Sequence, residues 1–464
     1  MQVFHRSNRL FASFDDTNLV SSAGLVPAMA LAAATGLGEF ADRWLTLPGS
    51  FGANAGSKVT ALVAGMLAGA DSIDDMALLR HGGMRKLFTG AYAPSTLGSF
   101  LRAFTFGHVR QLDAVAWRWL ANVAQTAPIL AGIDDYALVD IDDTIKEVHG
   151  HQKQGSGYGY SGVRGLNALI GIASTPLSAP IIIGSRLRKG AAGSPRGAGK
   201  FVADILATIT RVRSATAAGL VLLRADSAFY GHAVVAAAHR AGAKVSITAR
   251  MDPAVKRAIG TIADDAWTTI QYTDAIRDEA TGTWVSSAEV AEVAFTAFSS
   301  RKISERIAGR LVVRRIPELN PFNGDGQPTL FDTHRFHAFF TTSDLDTVTA
   351  DKTHRQHAII EQVNADLKDS ALAHLPSGIF TANAAWLVLA TIAFNLSRAV
   401  GTLAGTKLGK ARSGTIRRKL ISIPARISTS ARKIVLHLPT SWPWEAGWQE
   451  LFAAACGPPR TVTI

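Results

Sequence analysis

The stretch Tyr136-Ala137-Leu138-Val139-Asp140-Ile141-Asp142-Asp143-Thr144-Ile145 reads as an apolar strand interrupted by acids towards its end. Strand side chains alternate in direction, so Asp140 and Asp142 point to one face. Two like charges on one face repel unless a cation sits between or near them. A solvated strand end is the competing explanation. Downstream, residues 166–174 and 177–183 are further β-like runs, the second containing Ile181-Ile182-Ile183, as expected for a strand covered on both faces. Phe201, Ile205, Leu206, Ile209 and Val212 then share a helical face, followed by a strand at 220–224, a helix at 233–241 and a strand at 244–249. The order β-β-β-α-β-α-β predicts an α/β fold, a mixed sheet with helices on its faces.

Outside this block the pattern changes. Residues 1–130 are helical in character, with periodic stretches at 58–70, 72–81 and 96–127, and Ser72 precedes Asp74 and Asp75 as an N-cap followed by first-turn acids. Residues 253–345 carry strand-like runs at 288–298, 310–316 and 335–342 and read as a β-rich insertion. A helical stretch follows from 351 to 403, broken near Pro376 and Gly378. The segment 404–464 is basic and ends in a Trp/Pro-rich stretch.

The chain has 464 residues, 47% of them hydrophobic, enough for two or three domains with their own cores. Its formal charge of +12 points to a polyanionic partner, nucleic acid or an anionic membrane surface. The apolar run 384–394 is short of the roughly 20 residues that cross a bilayer and reads as a buried helix. Arg6 and Arg9 are followed by Asp15 and Asp16 instead of an apolar core, so no export signal is expected, and the single Cys456 fits a reducing cytoplasm and no cysteine-based zinc site.

Two more acids stand where chemistry could use them. Asp226 ends the apolar strand Leu222-Leu223-Arg224-Ala225, and ligands of open α/β sheets bind beyond such carboxyl ends, although this motif taken alone favours an N-cap for the next helix. In the helix from His354 to Lys368, the side chains of His354, His357, Glu361 and Lys368 lie along one face beside an apolar stripe of Ile360, Val363 and Leu367. An ordinary surface helix is the alternative. Carboxylates from a first strand, a later strand and a distant helix can converge on two Mg²⁺ or Mn²⁺ ions, hard cations that prefer oxygen, and such a pair serves in-line phosphodiester displacement.

Asp140-Ile141-Asp142-Asp143-Thr144, His149-Gly150-x-Gln152, Leu223-Arg224-Ala225-Asp226-Ser227, and Arg355-Gln356 leading to Glu361 and Lys368 together resemble bacterial insertion-sequence DDE transposases, most nearly the thirteen-eighty family of insertion sequences. The likeness includes Leu78-Leu79-Arg80, Ala382-Asn383-Ala384-Ala385-Trp386 and Pro424-Ala425-Arg426. It implies an RNase H-like core (131–252 and 346–403) interrupted by the β-rich insertion (253–345), preceded by a helical DNA-binding domain (1–130) and followed by the basic segment (404–464). It further implies Asp142, in an Asp-x-Thr position, Asp226 and Glu361 as catalytic metal ligands, with Asp140 a rival for the first place. Relatives carry a Tyr-x-x-Arg-x-x-x-Glu-x-x-x-x-x-x-Lys signature whose Arg and Lys contact DNA phosphates. Glu361 and Lys368 keep that pattern, His354 and His357 replace the Tyr and Arg, His357 and Lys368 are expected to contact DNA, and Arg355 is a substitute cation on another face.

Residues 370–444 contain no acid, while Lys407, Lys410, Arg412, Arg417, Arg418, Lys419, Arg426, Arg432 and Lys433 form a basic run expected to bind phosphate, with an unstructured basic tail as the alternative. A second basic stretch, Arg186, Arg188, Lys189, Arg196 and Lys200, brackets residues 190–199 as a mobile loop near the active face. Trp267 and Trp284 in the insertion are core residues or stacking surfaces for a flipped base. The glycine-rich segment 155–165 lacks the ending of a phosphate-cradling loop. The resulting expectation is a homodimeric transposase of the cytoplasm and nucleoid that cuts double-stranded DNA at its element's terminal repeats and joins 3′-hydroxyl ends to a target. A nuclease of the same fold, or a catalytically silent DNA-binding relative, are the alternatives.

Overall fold

The apolar, β-branched runs form the centre of a ten-stranded sheet. The structure, a computed structural model, describes residues 9–149, 152–277, 284–317, 334–430 and 433–457. The sheet's longer strands are β1 (Tyr136–Glu147), β2 (Arg164–Ser174), β3 (Ile181–Lys189), β4 (Leu220–Ala225), β5 (Lys244–Thr248), β6 (Thr268–Arg277), β7 (Trp284–Ala297), β8 (Ile307–Pro317) and β9 (His334–Thr341). They lie in the order β3-β2-β1-β4-β5-β9-β8-β7-β6, and a two-residue strand, Gly157–Tyr158, pairs with the start of β2. Helices of eight residues or more are α1 (Leu25–Ala34), α2 (Leu37–Trp44), α3 (Ala55–Ala68), α4 (Pro94–Arg102), α5 (Phe106–Thr126), α6 (Ala198–Val212), α7 (His232–Arg240), α8 (Thr347–Arg355), α9 (Ile359–Lys368), α10 (Phe380–Leu403) and α11 (Glu445–Cys456).

Strands β1, β2 and β3 form an antiparallel meander, while β4 runs parallel to β1 and β5 parallel to β4. The last paired level between β1 and β4 is Ile141 opposite Ala225. Asp142 and Asp226 therefore follow at the same level on neighbouring parallel strands, whose spacing is about 4.8 Å. This register, set by buried Val139, Ile141, Leu223 and Ala225, is what aligns the two acids.

Several elements differ from expectation for identifiable reasons. The strand expected at 177–183 starts at Ile181 because the Thr175 hydroxyl accepts from the Leu177 and Ser178 amides in a turn between Pro176 and Pro180. The helix expected at 96–127 is two, because Thr105 and His108 form a reciprocal cap that starts α5. Ser72 does bond to Asp75, at 2.7 Å, but opens a 3₁₀ turn, Asp74–Leu79, instead of an α-helix. Segment 253–345 also contains a polar strand, β6, and β9 pairs antiparallel with β5, so these strands extend the central sheet.

Helix α10 runs through the centre against β3, α3 and α5. It is long and apolar enough to cross a membrane by length and composition alone, yet its most apolar window is 100% buried inside the protein. The basic tail is ordered: Ile421, Ile423 and Ile427 are buried, and Ala425–Ser430 pairs with Leu19–Val20 and with Lys433–His437. Trp386 of α10 is fully buried and its indole N–H donates to the Ala371 carbonyl at 2.7 Å. Trp386→Ala should therefore cost about 3–5 kcal/mol in a denaturant melt; a loss under about 1 kcal/mol would mean that α10 is not a central support.

Candidate active site

The acids of β1 have different surroundings. Asp140 is fully buried, and Arg224 of β4 grips both its oxygens, Nε to Oδ1 and Nη2 to Oδ2, each at 2.7 Å. His357 adds a contact from Nδ1 to Oδ1 at 2.9 Å. Burial raises the Asp140 carboxyl, but Arg224 and the His357 hydrogen bond outweigh it and hold the group below the usual carboxylate range. The cation beside Asp140 is thus a guanidinium, which leaves that carboxylate no open face for a metal.

Asp143 points to the opposite face. It is bound by Arg188, by the Asn167 amide at 2.7 Å and by the Ser194 hydroxyl at 3.1 Å. Arg188 also donates to the Ser194 and Arg196 carbonyls, so the loop expected to be mobile near the active face is tied to β1. Arg186 is likewise occupied, by Asp204. The glycine-rich 155–165 segment serves packing: a Cβ on Gly190 would fall 2.1 Å from the Gly165 carbonyl and 2.4 Å from that of Gly157.

Asp142, between these two paired acids, has no cationic partner among the described residues. Its Oδ1 accepts from the Asp143 amide at 2.7 Å and its Oδ2 from the Asn364 amide at 3.0 Å. Burial, and then the charges of Asp226 and Asp143, push its carboxyl up to about 6. Asp226 is also raised, mainly by burial, while one of its oxygens accepts from the Ala228 amide at 3.0 Å and caps a 3₁₀ turn. Cap and strand-end acid are the same residue.

The helix read as continuous from His354 is not. A 3₁₀ turn, Gln356–Ala358, separates α8 from α9. His354 consequently turns to the sheet: its ring nitrogens lie 2.9 Å from Ser246 Oγ and 3.1 Å from Thr248 Oγ1, and it stacks on Phe339 with centroids 4.0 Å apart. Burial, helped by nearby positive charge, lowers its pKa to about 3, so it is a neutral packing residue. Arg355 pairs with Asp351 one turn earlier. Glu361 is exposed, one turn before Asn364 on α9. Lys368 is partly buried, its pKa lowered by burial and then by Lys146, with Asp142 opposing. Among the described residues no three His, Cys, Asp or Glu side chains are close enough to enclose a metal.

Arg417, Arg418 and Lys419 lie apart, on a π-helical turn, Arg417–Ile421, that packs near α3; Lys419 sits 5.0 Å from the Trp444 ring centre. Trp267 is partly buried with Arg315 at 4.3 Å over its ring, and the Trp284 side chain falls outside the described residues. A cavity of about 920 Å³ lined by Tyr136, Leu138, Arg398, Lys410 and Arg412 includes none of Asp142, Asp226 and Glu361 in its wall.

Sequence reading overlooked three residues. Arg224 was visible as a charge inside an apolar strand. Lys146 could have been found from the alternation that puts it on the Asp142 face. Asn364, one turn after Glu361, shares its face of α9. Asn364 is 6% exposed, and its Oδ1 is buried without a hydrogen-bond partner. The carboxylate of Asp142 fixes that amide's orientation, because a flipped Oδ1 would meet carboxylate oxygen.

The model of the family described as Transposase DDE domain group 1 matches residues 3–455. The chain belongs to that family. No curated protein matches the chain. DDE transposases are metal-dependent DNA-cutting enzymes, and this member has the mixed α/β architecture expected of one. The carboxylates fit that requirement in kind: Asp142 and Asp226 lie side by side with no cation within ion-pair distance among the described residues, and carboxylate oxygens are the donors a hard divalent ion prefers.

Two consequences can be measured on this transposase. Arg224→Met leaves Asp140 buried without its charge partner and should lower stability by about 3–5 kcal/mol, part of which Asp140→Leu in the same chain restores; equal stability of Arg224→Met and wild type would refute the pairing. For Asp142, a carboxyl raised from 3.8 to about 6 contributes stability that is fully present below pH 3.8 and lost as pH rises through about 6. In EDTA, Asp142→Asn should raise the melting temperature at pH 8, by the equivalent of at most about 3 kcal/mol, and leave it unchanged near pH 4. No gain at pH 8 would contradict the uncompensated charge.

Proposed function

We propose that this DDE transposase cuts DNA at the ends of its element and joins the 3′-hydroxyl ends to target DNA at a site made by Asp142, Asp226 and Glu361. The observation that carries the reading is the division of labour among the β1 acids: among the described residues Asp140 and Asp143 each have an arginine, and Asp142 has none. Charge left uncompensated beside Asp226 is costly in a folded protein and is retained where a cation is to bind. The strand order β3-β2-β1-β4-β5, with α6 and α7 as crossovers, supports an RNase H-like core, and strands β6 to β9 support the insertion that separates the second and third acids in such enzymes.

Asp142 and Asp226 would hold Mg²⁺ or Mn²⁺ from neighbouring strand ends, and Glu361, exposed on α9, would close the set by turning its side chain towards them. When bound, a pair of such ions supplies charge stabilisation for the attacking and leaving oxygens of an in-line displacement. Asn364 keeps Asp142 oriented, and Lys368 with Lys146 offers ammonium groups to the scissile strand's phosphates. His357, held by Asp140, shapes the floor of the site. Arg355, Arg417, Arg418 and Lys419 would contact DNA further out, in a complex that resemblance suggests is a homodimer acting at the nucleoid.

The test is excision from a supercoiled plasmid carrying candidate element ends, in Mg²⁺ and in EDTA. Asp142→Ala, Asp226→Ala and Glu361→Ala should each abolish metal-dependent cleavage while DNA affinity changes less than about threefold, and joined products should appear only with the wild type. Cleavage that survives Asp142→Ala would overturn the assignment; cleavage without joined products would favour a nuclease, and binding without cleavage a silent relative.

A further inference from the structure

Helices α2, α5 and α6 meet along a surface where arginines and tryptophans alternate. The Arg43 guanidinium carbon lies 5.6 Å from the centre of the Trp44 ring. Arg118 lies 3.9 Å from that same ring and 4.1 Å from the Trp117 ring, and Arg211 lies 4.2 Å from Trp117. Three cations and two ring systems, drawn from three helices, form one ladder. Arg43, Trp44 and Arg211 are exposed.

Neighbouring Arg110 and Arg186 are neutralised by Asp113 and Asp204. By contrast, among the described residues no carboxylate lies within ion-pair distance of Arg43, Arg118 or Arg211. Stacking on an indole uses the flat face of a guanidinium and leaves the N–H edges of Arg43 and Arg211 available, while Arg118 gives one N–H to the Ala114 carbonyl at 3.0 Å and holds the two rings together. Such an edge matches the oxygens of a phosphate, and a row of them matches a phosphodiester backbone. Arg211 is near the end of α6 opposite the loop that reaches Asp143. At 1.5 Å per residue that is about 20 Å away, or on the order of six base pairs.

We propose that the Arg43-Trp44-Arg118-Trp117-Arg211 ladder is a second contact for duplex DNA, gripping backbone phosphates some distance from the point of cleavage. The proposal rests on the transposase reading only for what the other part of the duplex meets. The probe is a mixed-sequence duplex bound by the full-length protein, its affinity followed by fluorescence anisotropy across a KCl series. Arg43→Gln and Arg211→Gln should each make the slope of log affinity against log salt shallower by about 1, and together by about 2. Arg211→Lys, which keeps the charge, should leave the slope close to wild type.

Unchanged slopes in the single and double variants would overturn the proposal, and a lower melting temperature with an unchanged slope would make the ladder an interhelical staple only. If the slopes fall as expected while the wild type never cuts DNA, the ladder stands and the catalytic reading falls. If wild-type binding has no salt dependence, the ladder falls whatever the outcome of cleavage.

Discussion

The buried pair between Asp140 and Arg224 holds three separate parts of the chain in one register. Asp140 belongs to β1 and Arg224 to β4, directly opposite each other across a parallel pairing. The same guanidinium donates from Nη1 to the Thr353 carbonyl at 2.6 Å, in the last turn of α8, and Asp140 takes His357 from the turn that follows. Two ions removed from water are costly unless every lone pair and proton finds a partner. Here the fork of Arg224 supplies two parallel bonds to the carboxylate and a third to backbone. Shifting β1 by one residue against β4 would break the bonds of Asp140 to Arg224 and His357 and leave both charges of the pair buried, so the pair favours the register that brings Asp142 level with Asp226.

Much of this arrangement was legible in the sequence. Seven strand and helix runs between residues 136 and 249 follow from apolar periodicity, and the two aspartates at strand ends follow from placement alone. What could not be read is which acid is left without an arginine. Asp140, Asp142 and Asp143 are equivalent by composition; their difference lies in Arg224 and Arg188, which come from strands distant in sequence. The break at Gln356–Ala358 was hidden for a similar reason: no Pro or Gly marks it, and it is imposed by His354 binding to β5 while His357 binds to β1. Strand β6 escaped notice because its polar, alternating residues carry no apolar run.

The short turn between α8 and α9 also changes how the two histidines in the signature helix are understood. Were the helix continuous, His354, His357, Glu361 and Lys368 would form one polar face, and a histidine where relatives have arginine would look like a lost phosphate contact. In the folded chain His354 is a neutral ring packed between Phe339 and two hydroxyl groups, a role in which tyrosine and histidine share flatness and a polar edge. His357 completes the surroundings of Asp140. Positive charge on the Asp142 side comes instead from Lys368 and Lys146, which approach from α9 and from the far end of β1; burial, and then the Lys146 charge, lower the pKa of Lys368. Two ammonium groups brought together beside Asp142 repel, just as Asp142 and Asp226 do, and on the function proposed above one event would relieve both repulsions: a phosphodiester with bound cations would bring negative charge to the lysines and positive charge to the carboxylates at once.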